Sequence, residues 1–179
     1  LFTNVFRTLQ YNVQYRVPGY VEWLQGQDPR IAYGQYRQQL QLVQYYRPHG
    51  NRFALKDPTH SVFLETIVEL FPNARFVFTH RDPVKVLPSI CSLVTGWRSL
   101  YEGSADARAI GAWQLDLYAS MIEHAMDVRA RSNPAQFYDF SFRELISDPV
   151  AAIERMYAYF GIEASAEGSA RMRAWIAAN

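Results

Sequence analysis

Two pairs of residues in this 179-residue chain have types and spacings suited to handling an anion. Arg81 closes the apolar run RFVFTH, directly ahead of Asp82-Pro83, and Ser89 follows eight positions later. An arginine at the carboxyl end of a buried strand can hold a phosphate through two parallel N–H bonds. A serine two turns into the next helix, on the same general face as Lys85 and Val86, can add its hydroxyl to the same oxygens. Lys56 and His60 form the second pair. Lys56 closes another short strand-like run and His60 stands at the start of the helical pattern behind it. Together they offer an ammonium to steady a leaving group and an imidazole able to take a proton near neutral pH. Each pair has an ordinary alternative: a surface network of Arg81 with Asp82 beside a packed Ser89, and His60 as a solvated or capping residue.

The elements that must position these residues are legible as a strand, helix, strand, helix rhythm. Residues 52–56 and 74–80 read as strands, the second as a buried parallel strand rich in β-branched and aromatic side chains. Each runs through a charged cluster into an Asp-Pro pair, Asp57-Pro58 and Asp82-Pro83, which caps and opens a helix. In a parallel sheet such junctions share one edge, where ligands bind and helix starts present free N–H groups to anions. Alternation along the strand turns His80 away from Arg81, into the core or behind the site. The helix after Asp57 shows Val62, Phe63, Ile67 and Leu70 and stops at Phe71-Pro72-Asn73. The one after Asp82 shows Val86, Leu87, Ile90, Leu93 and Val94 and ends near Gly96.

Around this centre the chain is mainly helical. Residues 1–18 read as a loop with one short helix, and residues 20–24 as a short apolar turn. Asp28-Pro29 opens a helix to about Tyr46, rich in glutamine and tyrosine, with Ile31, Tyr33, Tyr36, Leu40, Leu42 and Val43 on its apolar side. This is either an interaction surface or a helix half-buried on the core. A long amphipathic helix covers residues 104–131, QFYDF (136–140) is a third strand, Asp148-Pro149 opens a helix that stops at Gly161, and a last helix runs from about Ser165 to Ala177.

Composition narrows the possibilities. With 49% apolar residues the chain can bury one sizeable core, and the expectation is a single domain over residues 1–179. A formal charge of +1 argues against a general electrostatic grip on nucleic acid. One cysteine, Cys91, excludes an intramolecular disulfide framework and leaves no ligand cluster for structural zinc, which suits a reducing, cytoplasmic compartment. No apolar run approaches the roughly 20 residues that span a bilayer. Lys56 and Lys85 are the only lysines, both in the central stretch, which hints at a site needing a compact ammonium. The chain begins without methionine in mid-pattern, and it reads as a fragment.

His80-Arg81-Asp82 spells the triplet of the protein-kinase catalytic loop, which needs an asparagine five positions after the aspartate to hold magnesium. Position 87 is leucine, so that reading fails. The segments LKDPTH, FPNARFVFTHRDPVKVLPS and YDFSFRELISDPVAAIERMYAYFGI instead resemble the sulfotransferases that use 3′-phosphoadenosine 5′-phosphosulfate (PAPS), in particular the bacterial group with an HRDP motif. The resemblance covers about residues 18–162 and implies an incomplete α/β fold of the P-loop nucleotide-kinase type, a parallel sheet flanked by helices. It implies PAPS as co-substrate, no metal, and a small-molecule, glycan or lipid acceptor carrying a hydroxyl or amine. Arg81 and Ser89 match the pair that binds the 3′-phosphate, Lys56 matches the lysine near the sulfuryl group, and His60 the histidine that often serves as base. In the cytosolic animal enzymes lysine, threonine and histidine are consecutive, whereas Lys56-Asp57-Pro58-Thr59-His60 spaces them farther apart. The family's 5′-phosphosulfate loop is expected ahead of residue 1 and its glycine-rich adenosine segment after residue 179. Two other readings stand beside this one: a nucleotide or nucleoside kinase, which needs a Walker A lysine upstream, and a non-catalytic domain that binds a partner protein. No pattern selects the acceptor or sets the oligomeric state.

Overall fold

A computed structural model describes residues 7–48, 50 and 52–178. Residues 1–6, part of the segment expected to be a loop, lie outside the described residues. The chain forms two compact units, one made of the residues up to Pro72 together with Leu87–Val128, the other of Asn73–Val86 with the described residues from Arg129 onward.

The first unit is helical. Helix α1 (Gln10–Gln14) packs against α2 (Pro18–Gln25), a true helix with proline at its start where only a short turn is expected from sequence. Asp28 caps α3 (Pro29–Tyr46), its Oδ1 accepting from the Arg30 N–H at 2.9 Å. The α3 face that carries Ala32, Tyr33, Tyr36 and Leu40 is buried, and α3 packs on α4 (Leu64–Leu70), with Arg30 paired to Glu69 at 2.8 Å. So the glutamine-rich helix is half-buried, but over a narrower face than expected: Ile31, Leu42 and Val43, placed on its apolar side from sequence, are exposed. A 3₁₀ turn, Pro58–Phe63, leads into α4 and is capped by Asp57, whose Oδ1 accepts from the N–H and the hydroxyl of Thr59.

Helix α5 (Pro83–Glu102) does not stop near Gly96 but continues to Glu102. The extension is held by burial of Arg98 and by the stacked rings of Trp97 and Tyr101. Arg98 Nη2 donates to the Asn12 carbonyl at 2.8 Å while its guanidinium lies over Trp113 of α6 (Ala107–Ala130). Ile110, Gln114, Ala125 and Val128 are the buried residues of α6 within this unit.

The second unit holds a parallel pair, β1 (Phe76–His80) and β2 (Phe137–Ser141), in register from Phe76 opposite Phe137 to His80 opposite Ser141. The paired phenylalanines stack at 5.0 Å. Asp148 caps α8 (Pro149–Tyr159), which follows α7 (Phe142–Ser147) and ends at Gly161 with φ +64°. The N–H of Ile162 then returns to the Tyr157 carbonyl at 2.8 Å, a left-handed helix stop that glycine adopts without strain. Ser169 of α9 (Ala166–Ala178) donates to Glu154 of α8.

Two strand expectations are corrected. Residues 52–56 are exposed and carry no ladder, because among the described residues no neighbouring strand bonds to them. β1 is not buried on both faces: Val77 is 42% exposed, and Thr79 and His80 are open as well. An apolar run is buried on both faces only between strands and helices on every side, and β1 has one partner strand among the described residues.

Candidate active site

Lys56 is the last exposed residue before the Asp57 cap, and among the described residues its side chain makes no hydrogen bond or ion pair. Its ammonium is therefore available to an anion. Four residues on, His60 is not the solvated helix-start residue of the ordinary reading. The 3₁₀ turn carries it against α3, where its Nδ1 lies 2.8 Å from the Tyr33 hydroxyl and its ring meets those of Tyr33 and Tyr36 at 5.8 and 6.0 Å.

The electrostatics of this cluster follow from burial. Desolvation pushes His60 below its ordinary value, and the Asp57 carboxylate offsets part of that shift. His60 is thus a neutral imidazole at physiological pH, the form able to accept a proton. Tyr33, only 2% exposed, is pushed up by burial, with Asp57 and Tyr36 adding to the rise, so it keeps its hydroxyl proton. Sequence reading placed Tyr33 among the apolar residues of a helix face and missed this contact. The available signal was slight: two tyrosines three apart on one helix face, one of which needs a partner for a buried hydroxyl.

Arg81 lies one residue beyond β1 and is exposed, its guanidinium 4.6 Å over the Phe142 ring. No network with Asp82 forms. Asp82 instead starts α5, its Oδ1 accepting from the Val84 N–H at 3.0 Å. The aromatic ring supports the flat face of the guanidinium, and among the described residues the N–H edge has no carboxylate. Ser89 is exposed on α5, not packed. Lys56, His60 and Ser89 belong to the first unit and Arg81 to the second, and each is placed within its own.

His80 departs from expectation. It is not core: its side chain is 57% exposed and its Nε2 meets Asp139 Oδ1 at 2.6 Å. Asp139 also takes two N–H bonds from Arg129, both 2.8 Å, and that arginine lies over Phe78 and Phe137. His80, Phe78 and Asp139 share one sheet face, and the core burial expected of His80 does not occur. Among the described residues no group of three or more His, Cys, Asp or Glu side chains could hold a metal ion, and no helix is long and apolar enough to cross a membrane.

A parallel strand pair with a cation at its carboxyl end, opening into a capped helix, is the layout of α/β proteins that bind nucleotides and transfer charged groups. Residues 1–166 match the model of the sulfotransferase family, and the chain belongs to that family. Over 127 residues it is 29% identical to the omega-hydroxy-beta-dihydromenaquinone-9 sulfotransferase Stf3 of Mycobacterium bovis and of Mycobacterium tuberculosis, a match covering 68% of this chain and 31% of the relative. It superimposes on the crystal structure of sulfotransferase STF1 from Mycobacterium tuberculosis with a TM-score of 0.85 and 30% identity, over 97% of this chain and 47% of that one. For sulfotransferase STF9 from Mycobacterium avium the TM-score is 0.85 and the identity 27%, over 97% of this chain and 44% of that one. The chain thus spans less than half the length of these relatives. Its fold is that of the sulfotransferases, which share the P-loop-like architecture.

Proposed function

We propose that the protein transfers a sulfuryl group from PAPS to an acceptor hydroxyl or amine, and that this chain, a partial sulfotransferase domain over residues 1–179, carries the 3′-phosphate half of the donor site. The observation that carries the reading is the exposed Arg81 at the end of β1, free of any carboxylate among the described residues and directly ahead of the capped start of α5. Arg81 takes the 3′-phosphate through its N–H edge, and Ser89 adds a hydroxyl donor. For an alcohol acceptor, the oxygen attacks sulfur in line, and the bond from sulfur to the bridging oxygen breaks. The electron pair stays on the 5′-phosphate oxygen, where Lys56 neutralises it, and the acceptor proton passes to His60. The products are a sulfate ester and 3′-phosphoadenosine 5′-phosphate. Such a transfer depends on positioning and charge stabilisation. The relative named for an ω-hydroxylated dihydromenaquinone supports an apolar alcohol as acceptor.

Calorimetric titration of 3′-phosphoadenosine 5′-phosphate tests the donor half. The chain should bind it, and Arg81→Ala should weaken binding by about 10- to 100-fold, the loss of a charge-assisted bidentate contact. Ser89→Ala should cost less, and adenosine 5′-phosphate, which lacks the 3′-phosphate, should ignore both substitutions. Equal affinity of folded wild type and Arg81→Ala for the bisphosphate would remove Arg81 from the site. Absence of binding would favour the non-catalytic reading of this chain.

A further inference from the structure

The Tyr33 hydroxyl lies 2.8 Å from His60 Nδ1, and the bond joins a residue of α3 to one on the 3₁₀ turn 27 positions away. We infer that Tyr33 is a positioning residue that holds His60 in the Nδ1–H form, its oxygen accepting from Nδ1–H, so that proton transfer uses the lone pair of Nε2. This rests on the reading of His60 as the proton acceptor.

The tautomer matters because only one ring nitrogen of a neutral imidazole can accept a proton, and the bond made by the other decides which. Free histidine favours the Nε2–H form, in which Nε2 is a donor and cannot serve as base. A protein that uses Nε2 as base must therefore hold a hydrogen at Nδ1. An oxygen 2.8 Å from that nitrogen does so whenever its lone pair, not its proton, faces the ring.

The orientation follows from which nitrogen is occupied. Nδ1 is the ring nitrogen that meets the Tyr33 hydroxyl, so a base function of this ring falls to Nε2, and a base at Nε2 requires the hydrogen at Nδ1 and an accepting Tyr33 oxygen. The turn that presents the ring is itself fixed, because Asp57 Oδ1 is engaged by the N–H and hydroxyl of Thr59 at 2.8 and 2.7 Å. The ring has little freedom to flip, since it is flanked by Tyr33 and Tyr36 while Tyr33 itself is nearly sealed from water. The residues between Lys56 and His60 therefore have a role of their own: Thr59 anchors Asp57, Asp57 caps the 3₁₀ turn, and the turn delivers the ring to α3.

Nitrogen-15 NMR of histidine-labelled protein reads the tautomer directly. His60 is identified by the signals that vanish in His60→Ala, and the spectrum is taken at a pH where the ring is neutral. The expected pattern is a pyrrole-type Nδ1 and a pyridine-type Nε2, shifting towards Nε2–H in Tyr33→Phe. A wild-type His60 in the Nε2–H form overturns the proposal, as does a folded Tyr33→Phe with an unchanged pattern. If Tyr33→Phe does not fold, the wild-type tautomer alone decides. In the intact protein, Tyr33→Phe should lower kcat about tenfold at unchanged KM for the donor, against a larger loss for His60→Ala. If His60→Ala keeps full kcat, the base reading fails while the NMR result still stands or falls by itself.

Discussion

Arg81 and Arg129 show what separates a ligand-binding cation from a structural one. Both rest on phenylalanine rings, but Arg129 is closed by two bonds to Asp139, whereas the N–H edge of Arg81 meets no carboxylate among the described residues. Asp139 is held down from its ordinary 3.8 to about 2, chiefly by its bonds to Arg129 and also by His80. A carboxylate with a depressed folded pKa stabilises the protein above its unfolded value and loses that contribution as pH falls through the folded one. Because the side chain is 47% exposed, solvent screening limits the effect to about 1 kcal/mol. Urea denaturation should show stability falling as pH drops from about 3.8 to about 2, and Asp139→Asn should make that stretch shallower. An unchanged acid slope would show that the pair adds nothing in solution. Aspartates flank or face both arginines, so composition alone does not tell which cation is closed.

Among the elements, local signals placed starts and stops well. All four Asp-Pro pairs open a helix or a 3₁₀ turn, since aspartate accepts from the first free N–H groups and proline loses none that it would have used. Gly161 ends α8 with a positive φ and has nothing within 4 Å of an added Cβ, so its role is conformational. Gly161→Ala should cost about 1 kcal/mol, read as a lower urea midpoint at constant m-value. A neutral substitution would show that the left-handed stop contributes nothing. What failed were particular inferences about neighbours, while the parallel pairing of β1 with β2 held. Residues 52–56 have the composition of a strand and no ladder, and α5 passes Gly96 because Arg98 and Trp97 find partners in α1, α6 and its own next turn. Pairing and burial are set by what lies alongside, and a chain read in one dimension does not contain it.

For the molecule as a whole, the balance of charge carries a prediction of its own. With a formal charge of +1, affinity for an anion must come from a few placed cations. Duplex DNA should therefore fail to compete with 3′-phosphoadenosine 5′-phosphate at physiological salt in a fluorescence displacement assay, and efficient competition would reveal a basic surface that the composition hides. The sequence by itself determined the class of fold, the sulfotransferase family and the cation at the end of β1, because these rest on local patterns: apolar periods, caps, and a motif whose spacing is fixed along the chain. The tertiary structure alone decided that His60 is half-buried against Tyr33, that His80 is turned out to Asp139, and that the run at 52–56 pairs with no strand among the described residues. Each depends on a contact between residues far apart in the chain, and burial, which sets the protonation of His60, exists only once those contacts form.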